Sequence, residues 1–349
     1  MEQTLTIAID AMGGDRGPAV VLAGLSLAHA RFPAVRFLVV GDEAEIFHML
    51  DRFPALKSVC EVRHTDEAVS SEDRPGHVLR RGRASSMALA IEAVKDGEAA
   101  VAVSAGNTGA LMALSKFMLK TLPGIDRPAL AGPMPTLRGE SVMLDLGANV
   151  ECDENNLVQF AVMGAAYART VLGLTRPKVG LLNVGVEELK GNDSVKGAGQ
   201  KLKDLPLPLE FVGFIEGDDI GPGLIDVVVT DGFTGNIALK TTEGTARLTA
   251  TLLRRAFRHS LRARLGYLLA RKGLQTLRDH LDPNSHNGGV FLGLAGLVVK
   301  SHGGTNAKGF ASALRVAVNM ARDDLCGMIS EDLKNMEADR QTPNRAAVS

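Results

Sequence analysis

Ala100-Val-Ala-Val-Ser-Ala-Gly-Asn-Thr-Gly109 reads as a buried strand that ends in a glycine-rich turn, and Ala110–Lys120 follows it as an amphipathic helix. The strand part has no polar alternation, which suits a strand covered on both faces. The same unit recurs along the chain. Thr6–Asp10, Arg36–Val40, Val142–Asp145, Lys178–Asn183, Glu210–Phe214 and Asp226–Thr230 are short β-rich runs, most of them closed by Gly, Asp or Asn. Helical stretches fall between such runs, at Ala19–Ala30, Ser85–Lys95, Leu157–Leu172 and Ala311–Arg322. Strand–helix alternation of this kind predicts an α/β fold, a doubly wound and mostly parallel sheet. In that architecture ligands bind beyond the carboxyl ends of the strands, so the turns after the strands are where chemistry is expected.

Composition narrows the possibilities. The chain has 349 residues, enough for one large α/β domain or two smaller ones. A hydrophobic share of 45% with 23% charged residues excludes wholesale disorder. Glycine is over-represented, at 38 residues, against a usual roughly 7%. Aromatic residues make up 4%, with no Trp, which argues against stacking platforms for nucleic acid. A net charge of −1 gives no global attraction to a polyanion, and no nucleic-acid partner is expected. Cys60, Cys152 and Cys326 are odd in number and widely spaced, which suits a reducing cytosol and gives no metal-ligand pattern. Thr4-Leu-Thr-Ile-Ala-Ile9 enters a strand directly, without a signal peptide before it, and the apolar run Val290–Val299 is too short for a membrane span. The expectation is a soluble intracellular protein.

One region stands apart. Residues 240–280 carry ten Lys or Arg against two acids, a local charge of +8. Within it Leu261, Leu265, Leu268 and Leu269 follow helical spacing beside a basic face. That pattern suits a core-facing helix with a solvated side, or a surface helix for anionic lipid or an acidic partner. The expected organisation is one catalytic domain over residues 1–333, with a helical tip at about 246–285 and a frayed tail from 334.

Six turns collect polar groups at strand ends. The first is Asp10-Ala-Met-Gly-Gly-Asp15, in which Gly13 and Gly14 permit positive φ and Arg16 lies close by. Ser104–Gly109 offers converging N–H groups at Gly106, Asn107, Thr108 and Gly109 and a helix N-terminus suited to phosphate, although an N-cap by Asn107 or Thr108 explains it equally. It is neither a Walker loop nor a dinucleotide fingerprint. Leu144–Asn149 brings Asp145 and Asn149. The segment Asn183–Asn192 brings Asn183, Lys190 and Asn192, and Asp226–Asn236 delivers Asp231, Thr234 and Asn236. Ser301–Gly304 contains His302, a lone histidine more often structural than catalytic. So many polar, glycine-rich strand ends suggest a single lined cleft. There is no serine-nucleophile elbow and no zinc helix, and Cys152 has no visible base, so a cysteine nucleophile is disfavoured.

Taken in order, these blocks are similar to a known family. Asp10–Asp15, Ser104–Gly109, Arg127-Pro-Ala, Leu144–Asn149, Gly180-Leu-Leu-Asn-Val-Gly185, Lys190-Gly-Asn192, Asp231-Gly-Phe-Thr-Gly-Asn236 and His302-Gly resemble the phosphate acyltransferase family of bacterial phospholipid synthesis, from about residue 5 to 323. The resemblance implies a three-layer α/β fold related to isocitrate dehydrogenase and phosphotransacetylase. It implies transfer of a fatty acyl group from acyl-carrier protein to inorganic phosphate; no cofactor is expected, and no ligand cluster in the sequence demands a metal. A homodimer, loosely attached to the inner face of the cytoplasmic membrane, would hand acyl phosphate to a membrane glycerol-3-phosphate acyltransferase.

That chemistry needs no covalent intermediate, because phosphate is already a nucleophile and the leaving thiol has a reference pKa of about 8.5. The expected roles are charge stabilisation by Lys190 and oxyanion or phosphate orientation by Asn236, with phosphate at Ser104–Gly109 and donors ordered by Asp10, Asp145 and Asp231. Arg80, Arg81 and Arg83, or Arg254, Arg255, Arg258, Arg262 and Arg264, are expected to dock the acidic carrier or anionic lipid, with Leu261, Leu265 and Leu268 entering the interface. The rival readings are a phosphotransacetylase-like enzyme using acyl-coenzyme A, a nicotinamide-dependent dehydrogenase and a non-catalytic membrane scaffold.

Overall fold

The computed structural model describes residues 5–203, 205–280, 282 and 287–341. Its strands are β1 (Thr6–Asp10), β2 (Arg36–Gly41), β3 (Cys60–His64), β4 (Val101–Ser104), β5 (Ala129–Thr136), β6 (Gly139–Leu144), β7 (Lys178–Leu182), β8 (Glu210–Ile215), β9 (Val227–Val229), β10 (Gly289–Leu292) and β11 (Leu297–Lys300). They form one sheet in the order β3-β2-β1-β4-β11-β10-β5-β6-β9-β7-β8. All seven strands read from the sequence are present.

Direction changes in the middle of this sheet. β3, β2, β1, β4 and β11 are parallel. β10 runs against both β11 and β5, and β5 runs against β6. β6, β9, β7 and β8 are parallel again. The sheet is therefore two parallel halves of opposite sense. The carboxyl ends of β1, β4 and β11 lie on one edge, and those of β6, β9 and β7 on the other. The strand ends expected along one edge are therefore divided between two. The physical origin of this division is β5, whose Pro133 and Pro135 disguise a strand as a loop and hide the reversal.

The helices are α1 (Gly17–Arg31), α2 (Glu43–Leu50), α3 (Pro75–Arg81), α4 (Ser86–Lys95), α5 (Thr108–Leu119), α6 (Glu154–Leu172), α7 (Asp193–Lys203), α8 (Gly232–Arg258), α9 (Leu261–His280), α10 (Ala307–Arg322) and α11 (Leu325–Gln341). They cover both faces. Ile7 and Ile9 of β1 join one apolar layer with Leu22, Phe160 and Phe310, while Ala8 between them joins the other with Met87, Ile91 and Leu111. The pleat thus shares an all-apolar strand between two cores, each large side chain contributing about 1.5–3 kcal/mol of burial.

One boundary differs from expectation. α11 continues to Gln341 with Met336 buried, so packed chain extends past 333, and the remaining tail lies outside the described residues. The helix that leads into the expected tip, α8, starts at Gly232, and Ala238 and Leu239 still pack against the core. Only Gly232 and Gly235 of α8 are buried, and the contact with α9 includes an edge-on pair of Phe257 and Tyr267 with centroids 5.7 Å apart. Leu261 is 82% exposed and Leu268 64%. Among the described residues no helix is long and apolar enough to cross a membrane.

Candidate active site

The edge at β1, β4 and β11 is closed on itself. Asp10 is buried and accepts hydrogen bonds from Ser86 Oγ and Ser104 Oγ, both at 2.6 Å, from Gly13 N at 3.0 Å and from Met12 N at 3.3 Å. Ser104 Oγ in turn accepts from Gly106 N. A Cβ at Gly13 would lie 2.8 Å from Gly106 N, and one at Gly14 2.9 Å from the Ala105 Cβ, so the two turns touch through glycine. Burial pushes the Asp10 carboxyl above its ordinary pKa, while the four donors oppose this. Asn107 caps α5 through Ala110 N, and its amide nitrogen donates to the carbonyls of Ser71 and Asp73 at 3.0 and 3.1 Å. The side chains of Asp10, Ser104 and Asn107 are thus spent inside the fold. Thr108 and Gly109 are exposed at the start of α5.

Lys300 and Ser86 complete this edge, and the reading of the sequence omitted both. Lys300 ends β11 and donates to the carbonyls of Ala105 and Ser301, and burial pushes its ammonium down to about 8. The signal was there: a lysine closing an apolar strand immediately before Ser301-His302-Gly303. His302 donates its N–H to Asn287 Oδ1, and its Nε2 stands 4.0 Å from Glu243 of α8. Burial and the charge of Lys240 hold its pKa below the ordinary value.

The opposite edge has the same kind of buried carboxylate in a different setting. Asp145 Oδ1 accepts from the N–H groups of Leu130, Gly147 and Ala148, and Oδ2 from the main chain and side chain of Asn149 at 2.7 and 2.9 Å. Burial raises its pKa, again against its hydrogen bonds. Here the donors come mostly from the turn itself. α8 starts directly on it: Gly232 N donates to Asn149 O, and a Cβ at Gly232 would lie 2.9 Å from Asp145 Oδ2. Asp231 caps the helix through the N–H and hydroxyl of Thr234, both at 2.8 Å. One turn on, exposed Asn236 stands beside Gly147, whose added Cβ would lie 3.8 Å from Asn236 Oδ1. The Asn236 amide has no hydrogen-bond partner among the described residues.

β9 lies between β6 and β7, so the turn after β7 shares this edge. Asn183 Nδ2 donates to the carbonyls of Gly185 and Lys190 at 3.0 and 3.1 Å and so folds the loop back on itself. Gly191 adopts φ +93° beside the Asn183 side chain, a position only glycine fills without strain. Asn192 caps α7 through Val195 N. Lys190 projects from this loop half exposed, paired with Glu187 at 2.9 Å, whose carboxylate holds the ammonium above its ordinary pKa. Cys152 is half-buried beside the Asp145–Asn149 turn. Burial and the charges of Asp145 and Asp231 push its thiol up to about 12, so at neutral pH it is no nucleophile.

The expected site residues therefore fall into two groups, Asp10, Gly13, Gly14, Ser104–Gly109 and His302 against Asp145, Asn149, Asn183, Lys190, Asn192, Asp231, Thr234 and Asn236. α8 connects them, passing from Asp145 at Gly232 to His302 at Glu243, about 16 Å at 1.5 Å per residue. The expected docking cations are all exposed: Arg80, Arg81 and Arg83 around the end of α3, with Arg83 5.3 Å above the Phe117 ring, and Arg254, Arg255, Arg258, Arg262 and Arg264 on α8 and α9.

Comparison with known proteins shows the family. A family model described as fatty acid synthesis protein matches residues 5–328. The phosphate acyltransferase of Paramagnetospirillum magneticum is 55% identical over 347 residues, 99% of each chain. That of Parvibaculum lavamentivorans is 58% identical over 337 residues, covering 96% of this chain and 93% of its own. The chain belongs to the phosphate acyltransferase family. It is an acyltransferase. Among solved structures, a phosphotransacetylase from Streptococcus pyogenes superposes with a TM-score of 0.60 at 17% identity, covering 93% of this chain and 95% of its own. One from Staphylococcus aureus gives 0.57 at 18%, covering 91% and 94%. At these identities the likeness establishes the fold, an α/β sheet covered on both sides.

Proposed function

We propose that the protein forms acyl phosphate from a fatty acyl group on acyl-carrier protein and inorganic phosphate, at the β6–β9–β7 edge, as a step toward phospholipids. The observation that carries this reading is one edge presenting a half-exposed ammonium, Lys190, on a loop folded back by the Asn183 side chain, and an unpartnered carboxamide, Asn236, in the first turns of α8 beside the buried Asp145 turn. A phosphate oxygen attacks the thioester carbon, forming the C–O bond. The electron pair of the carbonyl moves onto oxygen, and its return breaks the C–S bond and releases thiolate, which takes a proton from solvent. The Asn236 N–H donates to that oxyanion, and Lys190 neutralises phosphate and developing charge. Asp145 orders the turn beneath Asn236 rather than transferring a proton. Phosphate is assigned here rather than to Ser104–Gly109, because the side chains of that turn are committed elsewhere.

The reading extends to the exposed α8–α9 hairpin. Its leucine face suits a second copy of the chain or the membrane interface, and its arginines suit anionic lipid or the acidic carrier. Such placement would deliver acyl phosphate to a membrane glycerol-3-phosphate acyltransferase. The deciding experiment incubates the protein with phosphate and either palmitoyl-acyl-carrier protein or palmitoyl-coenzyme A and traps product with hydroxylamine. Phosphate-dependent hydroxamate formed faster from the carrier is expected. Faster formation from coenzyme A would favour the phosphotransacetylase-like alternative, and none from either would overturn acyl transfer to phosphate.

A further inference from the structure

On the sheet face away from α5, an open groove of about 280 Å³ lies between α1 and α10 and plays no part in the acyl-transfer reading. Its origin is a pinch. Gly24 of α1 meets Phe310 of α10, where an added Cβ would lie 2.9 Å from the Phe310 side chain, and farther along α1 the groove opens. Its lining is divided. Leu27 and Phe32 supply apolar wall, and Arg31, Lys308 and Arg315 converge on it from both helices. Asp282 is the single carboxylate on the lining among the described residues.

Among the described residues the lining sets three cations against one carboxylate. None of Arg31, Lys308 or Arg315 takes part in an ion pair among the described residues. Lys308 lies in the first turn of α10, which carries no acidic residue, so the positive end of the helix dipole adds to the same potential. Gathering like charges at a helix N-terminus opposes folding, and a bound anion relieves it. The geometry points to a binding site for a phosphate monoester with a short apolar group attached, its head on the three cations and its chain against Leu27 and Phe32. Two sources have this chemistry, a soluble alkyl or acyl phosphate and the headgroup of a phosphatidic-acid-type lipid.

The test compares wild type with the Lys308→Gln, Arg315→Gln double variant, both positions outside the candidate active site. Hexyl phosphate is titrated calorimetrically, with hexanol as the neutral control, and vesicles of phosphatidylcholine with and without phosphatidic acid are used for flotation. Binding of hexyl phosphate that weakens about tenfold or more in the variant, at a melting temperature no lower than that of wild type, supports the site with a soluble ligand. A loss confined to phosphatidic-acid vesicles supports it with the lipid headgroup. Absence of binding by wild type in both arms, or equal binding by the variant, overturns the proposal. Because hydroxamate formation is measured separately, failure here leaves the acyl-transfer reading standing, and the converse also holds.

Discussion

Asp10 and Asp145 look alike in sequence: each ends a strand, precedes a small-residue turn and stands before a helix. They are used differently. Asp10 draws its donors from three elements, taking Ser86 from α4, Ser104 from β4 and Gly13 from its own turn, and thereby bolts the β1 edge shut. Asp145 is satisfied mainly by its own turn, through Gly147, Ala148 and Asn149. That economy leaves the neighbouring groups Asn236 and Lys190 facing outward. A buried carboxylate at a strand end is thus no marker of reactivity. What sets the proposed working edge apart is the outward-facing Asn236, together with Lys190, whose partner Glu187 is itself at the surface.

The sharpest way to break this comparison is at Lys190. Lys190→Ala is expected to lower kcat by about 10²–10³, the usual cost of removing one preorganised charge or donor, with little change in melting temperature because the side chain is half exposed. Asn236→Ala should behave similarly, and the double variant should lose less than the product of the two if both act on one oxyanion. Steady-state hydroxamate assays check this. Near-normal turnover in Lys190→Ala would move the chemistry to the other edge.

The second test is at Asp10. Asp10→Ala leaves two buried hydroxyls and the N–H groups of Met12 and Gly13 without their acceptor, so a stability loss of about 3 kcal/mol is expected in urea denaturation. The turnover of the protein that remains folded should fall less than tenfold. A loss of turnover as large as that of Lys190→Ala, in protein of wild-type stability, would make Asp10 catalytic and erase the contrast.

The sequence disclosed one side of this contrast and concealed the other. Strands such as Thr6–Asp10 and Lys178–Leu182 were legible because uniform apolar runs closed by Gly or Asn have few alternative uses. Lys190 and Asn236 were legible because strand ends are where an α/β sheet presents its groups. What could not be read was on which edge each turn would fall. That depends on β5, where Pro133 and Pro135 break the strand signal, and on the β10–β11 hairpin, which reads as one apolar run from 290 to 299. Nor was it legible that Asn107 is consumed by the 71–73 segment, since a contact with residues about 35 positions away leaves no local trace.

The smallest expected effect concerns Lys300, whose buried ammonium belongs to the closed edge. Its folded pKa, about 8, lies below the ordinary value of 10.5. Between those pH values the unfolded chain binds more protons than the native one, so this residue makes stability rise with pH from about 8 to 10.5. Below pH 8 both states carry the charge, and the cost of burying it is felt in full. Lys300→Met keeps the side-chain stem and removes the charge, so the variant should melt at or a few °C above wild type at pH 7 and lose the rise between pH 8 and 10. Melting curves at several pH values check both. A variant destabilised at pH 7 with an unchanged pH slope would mean that the bonds to the Ala105 and Ser301 carbonyls outweigh desolvation, and that the closed edge depends on this cation as much as on Asp10.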